Sequence, residues 1–192
     1  MRKTWLAPFA AVGLILAAAP VAAQFHDPTA RMAAQREAMA RLAGMDGIWR
    51  GPAWTMTPAG RRELIQTERA GAFLDGTVRV FEGRGYEADG SVGFNALGII
   101  SFDPATRSYT VTSWAMGYSV VAPLRLTDTG FVWEVPAGPD ATIRYTATIG
   151  ADSWLEVGER IAGDAPPVRI TELNLRRIGD ADWPAAGAVP MR

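Results

Sequence analysis

The chain has 192 residues, 48% of them hydrophobic and 20% charged, with 20 acidic side chains against 19 basic ones and no cysteine. This composition suits one globular domain with a proper core. It excludes disulfides, thiolate metal sites and a cysteine nucleophile. The slightly acidic balance and the lack of a basic run argue against nucleic acid as a partner.

The first element in chain order reads as an export signal. Arg2 and Lys3 form a positive start, an apolar run extends from Trp5 to Ala19 with Pro8 and Gly13 inside it, and Pro20 precedes the small-residue sequence Val21-Ala22-Ala23. Residues 1–23 therefore have the form of a cleavable signal peptide. The run is shorter than the roughly 20 residues that span a bilayer, so no transmembrane anchor is expected after cleavage. The expected location is periplasmic or secreted. Cleavage would remove the only lysine, Lys3, and take the net charge from −1 to about −3. No Schiff base and no lysine general base are then available.

Residues 24–46 contain a helix signal. Asp27 can cap, Pro28 fits the first turn, and Met32, Met39 and Ala43 recur on one side with Leu42 adjoining. Gly44 is the expected C-cap. Arg31, Gln35, Arg36, Glu37 and Arg41 form the polar side, so the helix is expected to pack on the following domain rather than bind a partner.

From Gly47 the texture changes to short β-rich runs. Ten strands are predicted, at 47–56, 62–73, 77–86, 92–102, 108–116, 119–126, 131–135, 142–149, 153–161 and 168–178. Turn signals such as Asp75-Gly76, Asp89-Gly90, Asp103-Pro104 and Thr129-Gly130 divide them. The links are too short for helical crossovers, so neighbours in sequence should pair as antiparallel hairpins. Ile143, Tyr145, Ala147 and Ile149 share one face; Phe131, Trp133 and Val135 lie opposite Glu134, and Leu155 and Val157 opposite Glu156. The strand at 94–102 is apolar on both faces, which predicts an outer cover, with the N-terminal helix as the candidate. Closing ten such strands removes exposed edges. The expected fold is an all-β, antiparallel up-and-down barrel occupying 47–178, with a short N-terminal helix and an interior able to hold one small ligand. The tail at 179–192 is rich in Ala, Gly and Pro and is expected to be loose, with Trp183 as an anchor.

Several of these residues also carry a family resemblance. Gly47-Ile48-Trp49-Arg50-Gly51 opens the first strand, Gln66-Thr67-Glu68 and Phe73-Leu74-Asp75-Gly76 follow, and then Gly98-Ile99-Ile100-Ser101-Phe102-Asp103-Pro104-Ala105-Thr106-Arg107-Ser108-Tyr109. Their order resembles the lipocalin-like (calycin-like) bacterial domain of unknown function found in exported proteins. The resemblance implies an antiparallel lipocalin/calycin-like barrel. It also implies a structural closure of the barrel floor by Trp49 with an arginine from the last strand over it. Arg176 or Arg177 can fill that role, and Arg177 shares a face with Leu173 and Leu175. Related barrels that hold haem use a histidine, and the only histidine here is His26, ahead of the barrel.

No histidine lies in 47–178, which excludes a His-based triad there and leaves no zinc cluster. No complete catalytic constellation, metal site or cofactor is implied. What remains are polar groups that alternation could turn into an apolar cavity: Glu68, Glu82, Arg84, Tyr86, Asn95, Tyr109 and Tyr145. Trp114 and Trp133, with Met116 and Tyr118, could line the same space. Val78, Val80, Glu82, Arg84 and Tyr86 share a face, which suits either a pocket with a polar mouth or an outer face carrying a Glu/Arg pair. The glycines of Gly83-Arg84-Gly85 are expected to bend the strand or mark a bulge. The favoured function is a binding barrel for a small hydrophobic molecule. The alternatives are a cyclase-, isomerase- or hydratase-type enzyme using a cavity Glu with Tyr or Arg, and a structural envelope protein with an interaction surface.

Overall fold

The computed structural model describes residues 27–183. The expected signal peptide lies outside the described residues, and of the expected tail only residues 179–183 fall within them, Gly179 as the end of the last strand. Asp27 starts the first helix as its chemistry dictates: its Oδ1 accepts from the Thr29 backbone N–H at 2.8 Å, and Pro28 supplies the preset first turn. This helix, α1, runs Pro28–Ala40 and buries Ala38 and Met39. Met32, assigned by spacing to the same side, is 38% exposed. Gly44 does not end α1. It sits inside a 3₁₀ turn, Ala43–Met45, that feeds the first strand.

Ten strands follow: β1 (Gly47–Thr57), β2 (Gly60–Phe73), β3 (Val78–Tyr86), β4 (Val92–Asp103), β5 (Ser108–Ala115), β6 (Tyr118–Leu126), β7 (Gly130–Pro136), β8 (Ala141–Ile149), β9 (Ser153–Ala162) and β10 (Val168–Gly179). Each pairs antiparallel with its sequence neighbours, and β1 pairs with β10 to close an up-and-down barrel. The tight turns need positive φ, as at Leu74, Asp75 and Gly76 between β2 and β3. Trp183, just after β10, lies 4.5 Å from the Arg69 guanidinium and holds the start of the tail to the outer wall.

The side-chain period of two fixes which residues face inward. Trp49, Ala70, Ile100, Val111, Ala122, Leu124, Phe131, Ala147, Trp154 and Leu175 point inward and pack together at one end of the barrel. Met39, Leu42 and Met45 plug that end. Each such side chain contributes about 1.5–3 kcal/mol on burial. Polar ties hold the plug in place. Gln35 Nε2 donates to the Phe102 carbonyl at 3.1 Å, Tyr109 Oη donates to the Ala38 carbonyl at 3.0 Å, and Arg31 pairs with Asp103. The buried Arg79 pairs with Asp46 and donates to the Met39 carbonyl. The helix thus meets β4 at the barrel's end, around Phe102 and Asp103, and does not lie along the outer face of residues 94–102. The reason is the plug itself: the apolar side of the α1 segment has a better apolar partner inside the rim than outside it.

Candidate interior site

The other half of the barrel is built differently. Phe94, Val120, Trp133, Ile143 and Leu173 alternate inward, yet each keeps accessible surface. Between them the inner wall is reduced to Gly83, Gly85, Ala96, Ser113 and Gly158. Close-packed interiors leave few voids, so inward apolar side chains that remain accessible define a hollow opening away from the plugged end.

β2 supplies the polar floor of this hollow. Leu64, Gln66, Glu68 and Ala70 form its inward row. Gln66 is 2% exposed and Glu68 7%. Gln66 Nε2 donates to Glu68 Oε1 at 2.7 Å, and Glu68 Oε2 has no hydrogen-bond partner among the described residues. Glu68 pairs across the sheet with Gly83, where any Cβ would overlap Glu68 Oε1 and crowd Gln66 Nε2. The β2–β3 register is continuous through Gly83, and the shift falls later, between Gly85 and Tyr86 on the β4 side. Gly83 is therefore the space that the Glu68 carboxyl occupies, rather than a bend.

β9 supplies a second carboxyl. Glu156 stands opposite Ala147 on one side and Leu173 on the other, both inward residues. Beside it the Trp154 indole N–H, on a 2% exposed side chain, has no hydrogen-bond partner. Burial pushes the Glu68 carboxyl up to about 8; the Gln66 hydrogen bond opposes this, and the charges of Glu156 and of Glu82 add to it. Burial likewise pushes Glu156 up to about 7, against the nearby Trp154 N–H. Tyr145 rises to about 12, from burial and then the Glu156 charge. Its ring stacks on Trp133 with centroids 4.6 Å apart and planes at 19°, and it fits the wall because its cross-strand partner is Gly158.

Of the residues proposed from sequence, Glu68, Trp133 and Tyr145 come together here. Tyr109 also points inward, but at the plugged end, where its hydroxyl is used on Ala38. The others are corrected. Glu82, Arg84 and Tyr86 stand on the outer face of β3, because Gly83 and Gly85 take the inward positions. Glu82 pairs there with Arg69 at 2.5 Å and Arg84 at 3.0 Å. Slight burial raises the Glu82 carboxyl, but the hydrogen bonds from Arg84 and Arg69 outweigh it and hold the group below its usual value. Asn95 pairs with Arg84, so it also faces out, as does Trp114, which is 44% exposed. Glu82, Arg84, Asn95 and Trp114 border an open groove of about 450 Å³ near the rim.

Gln66 and Glu156 escaped the sequence reading. Alternation sets Leu155 and Val157 opposite Glu156, and in the structure it is Glu156 that turns inward. The signal was present in the β8–β9 hairpin. With Tyr145 and Ala147 inward and a turn at residues 150–152, antiparallel register puts Glu156 on the inner face. Trp49 sits in the plugged end, donates its indole N–H to the Met45 carbonyl at 2.8 Å, and packs edge-on to Trp154 at 5.8 Å. The Arg177 guanidinium lies 5.9 Å from the Trp49 ring and donates to the Asp46 carbonyl. Arg177 rather than Arg176 is the inward of the two, because it pairs with Trp49.

Among the described residues no cluster of acidic or histidine side chains is arranged to hold a metal ion, and no helix is long and apolar enough to cross a membrane. No protein-family model and no curated protein matches the chain. Among solved structures it is similar to Rv2717c from M. tuberculosis, with 14% identity and a TM-score of 0.55 over 73% of this chain and 97% of that one. At this identity the likeness is one of fold alone.

Proposed function

We propose that this is an exported barrel that binds a small, largely hydrophobic molecule in its interior, in the manner of the lipocalin-like domains its sequence resembles. The observation that carries the reading is the unfilled half of the barrel, where apolar inward side chains stay accessible around a few converging polar groups. Export is supported by the charged start, apolar run and small-residue site of residues 1–23. The binding test uses 1-octanol titrated against intrinsic tryptophan fluorescence, with Trp133 as the reporter in the wall. The expected result is a saturable change that Trp133→Phe largely removes. A barrel that shows no saturable response, while melting as a folded protein, would refute a binding hollow.

One observation favours a second reading. Glu68, pushed up to about 8, can give or take a proton near neutral pH, and its Oε2 is unpartnered at the edge of the hollow. A proton-transfer enzyme of the cyclase, isomerase or hydratase type would use this carboxyl. Glu82 is no candidate for that role, since it faces outward into two arginines. Recovery of a co-purified molecule chemically unchanged after incubation with the protein would favour binding over turnover.

A further inference from the structure

We infer that the hollow selects molecules bearing one basic amine, with the ammonium seated between Glu68 and Glu156 and an apolar body against Trp133 and Tyr145. The inference rests on the interior-binding reading and adds the chemical class of the ligand.

Four observations converge on a cation. Glu68 and Glu156 both point into the same half of the barrel, and neither forms an ion pair among the described residues, although nine other ion pairs occur there. Glu68 is more than nine-tenths buried and carries an oxygen with nothing to bond. A buried carboxylate without a donor is costly, so a ligand that brings donors and positive charge gains more here than a neutral one. The arginines of the inner face lie elsewhere. Arg79 is spent on Asp46, Arg177 serves Asp46 and Asp180 at the plugged end, Arg62 at the start of β2 pairs with Glu87, and Arg160 is exposed near the far end of β9.

The second observation concerns donors already present. Gln66 gives one N–H to Glu68 Oε1, and the Trp154 N–H faces Glu156. Glu68 therefore has one protein donor and one open oxygen, while the Trp154 N–H stands unpartnered beside Glu156. An ammonium has three N–H donors, enough to reach both carboxyls. The third is the aromatic wall. Trp133 and Tyr145 stack beside Glu156, and their faces attract a cation, with Glu156 near enough to act on the Tyr145 hydroxyl. The fourth is the glycine at position 83, which leaves the Glu68 carboxyl its place in the wall instead of forcing it aside.

The charge count favours one amine over two. Burial raises the proton affinity of both carboxyls and the Glu156 charge raises that of Glu68 further, which disfavours two negative charges side by side and so a second ammonium. Glu82 lies across the sheet on the outer surface, already matched by Arg69 and Arg84.

The test compares three probes of equal length, octylamine, 1-octanol and octanoate, by calorimetric titration of the folded protein at pH 7. Octylamine is expected to bind at least about tenfold more tightly than octanol, and octanoate more weakly than octanol. In Glu68→Gln and Glu156→Gln the ratio of octylamine to octanol affinity is expected to fall to about twofold or less. Equal affinity for the three probes would overturn the amine assignment and leave the hollow standing. No binding of any probe would overturn the hollow and the assignment with it. If Glu68→Gln does not fold, Glu156→Gln carries the comparison, since its side chain keeps some accessible surface.

Discussion

The two halves of this barrel use the same ten strands and the same alternation, and they differ in what the inward positions hold. At the plugged end the inward row is Trp49, Ile100, Phe131, Trp154 and Leu175, closed over by Met39, Leu42 and Met45. Toward the other end the row on β3 becomes Gly83 and Gly85, β4 offers Ala96, and β9 offers Glu156 and Gly158. The first half stores stability. The second gives some up, leaving accessible apolar wall and carboxyls raised in proton affinity where a packed protein would place aliphatic side chains. One fold can do both because a closed sheet fixes each inward position by register, whatever side chain stands there.

The largest effect that would test this contrast comes from matched truncations. Trp49→Ala should cost about 3–5 kcal/mol in urea denaturation, because it empties a filled core and leaves the Met45 carbonyl without its donor. Trp133→Ala should cost less than half as much, since Trp133 already borders open space. Equal costs would show that the second half is packed after all.

The next effect is a dependence on pH. Glu68 binds its proton more tightly folded, with a value of about 8, than unfolded, near 4.5. Acid therefore favours the folded state through this group. Its contribution is full below about 4.5 and is lost as pH rises through about 8. Glu68→Gln removes the titration. Its stability should exceed that of the unchanged protein increasingly across this window, by on the order of 5 kcal/mol at pH 9. A constant difference between the two proteins from pH 4 to pH 9 would contradict the burial of this carboxyl.

The smallest effect sharpens the role of a single glycine. Gly83→Ala should cost only about 1 kcal/mol, because the new methyl meets the movable ends of Glu68 and Gln66 rather than backbone. Octylamine affinity should nonetheless fall, as the carboxyl is displaced. Unchanged affinity would mean that Gly83 does not set the position of Glu68.

Much of the fold was legible in the sequence because turn chemistry and hydrophobic runs are local. All ten strands fall within two residues of their expected ends. Asp27 and Pro28 announced the start of α1. The inward faces were harder to read. On β3 the row Val78-Val80-Glu82 suits either a pocket or an outer face with a Glu/Arg pair; the structure gives the second, with the Glu82–Arg84 pair outside, and the inward row contains Gly83 and Gly85, which carry no side chain. On β9 alternation sets Leu155 and Val157 opposite Glu156, and the inward position belongs to Glu156. On β9 the site inverts the usual rule that polar groups face water, whereas on β3 Glu82 and Arg84 obey it and the inward row is blank at Gly83 and Gly85. A hollow that holds carboxyls needs that inversion, so the half proposed to bind is the half that hydrophobic patterning reads least well. Glu68 is legible from alternation, and Leu64 and Ala70 share its inward row on β2.

The pairing of β1 with β10 has a consequence for the order of events in folding. The Arg177–Asp46 bond joins residues 131 positions apart, and Trp49 meets Leu175 and Arg177 only when the last strand arrives. A chain lacking β10 is a sheet with two free edges, at β1 and β9, and its plug has no complete rim to enter. Such contacts between distant parts of the chain form slowly, and free edges invite association with other chains. Closure of the barrel is therefore tied to the arrival of β10: until residue 179 is present, the other nine strands can form their hairpins but no closed end.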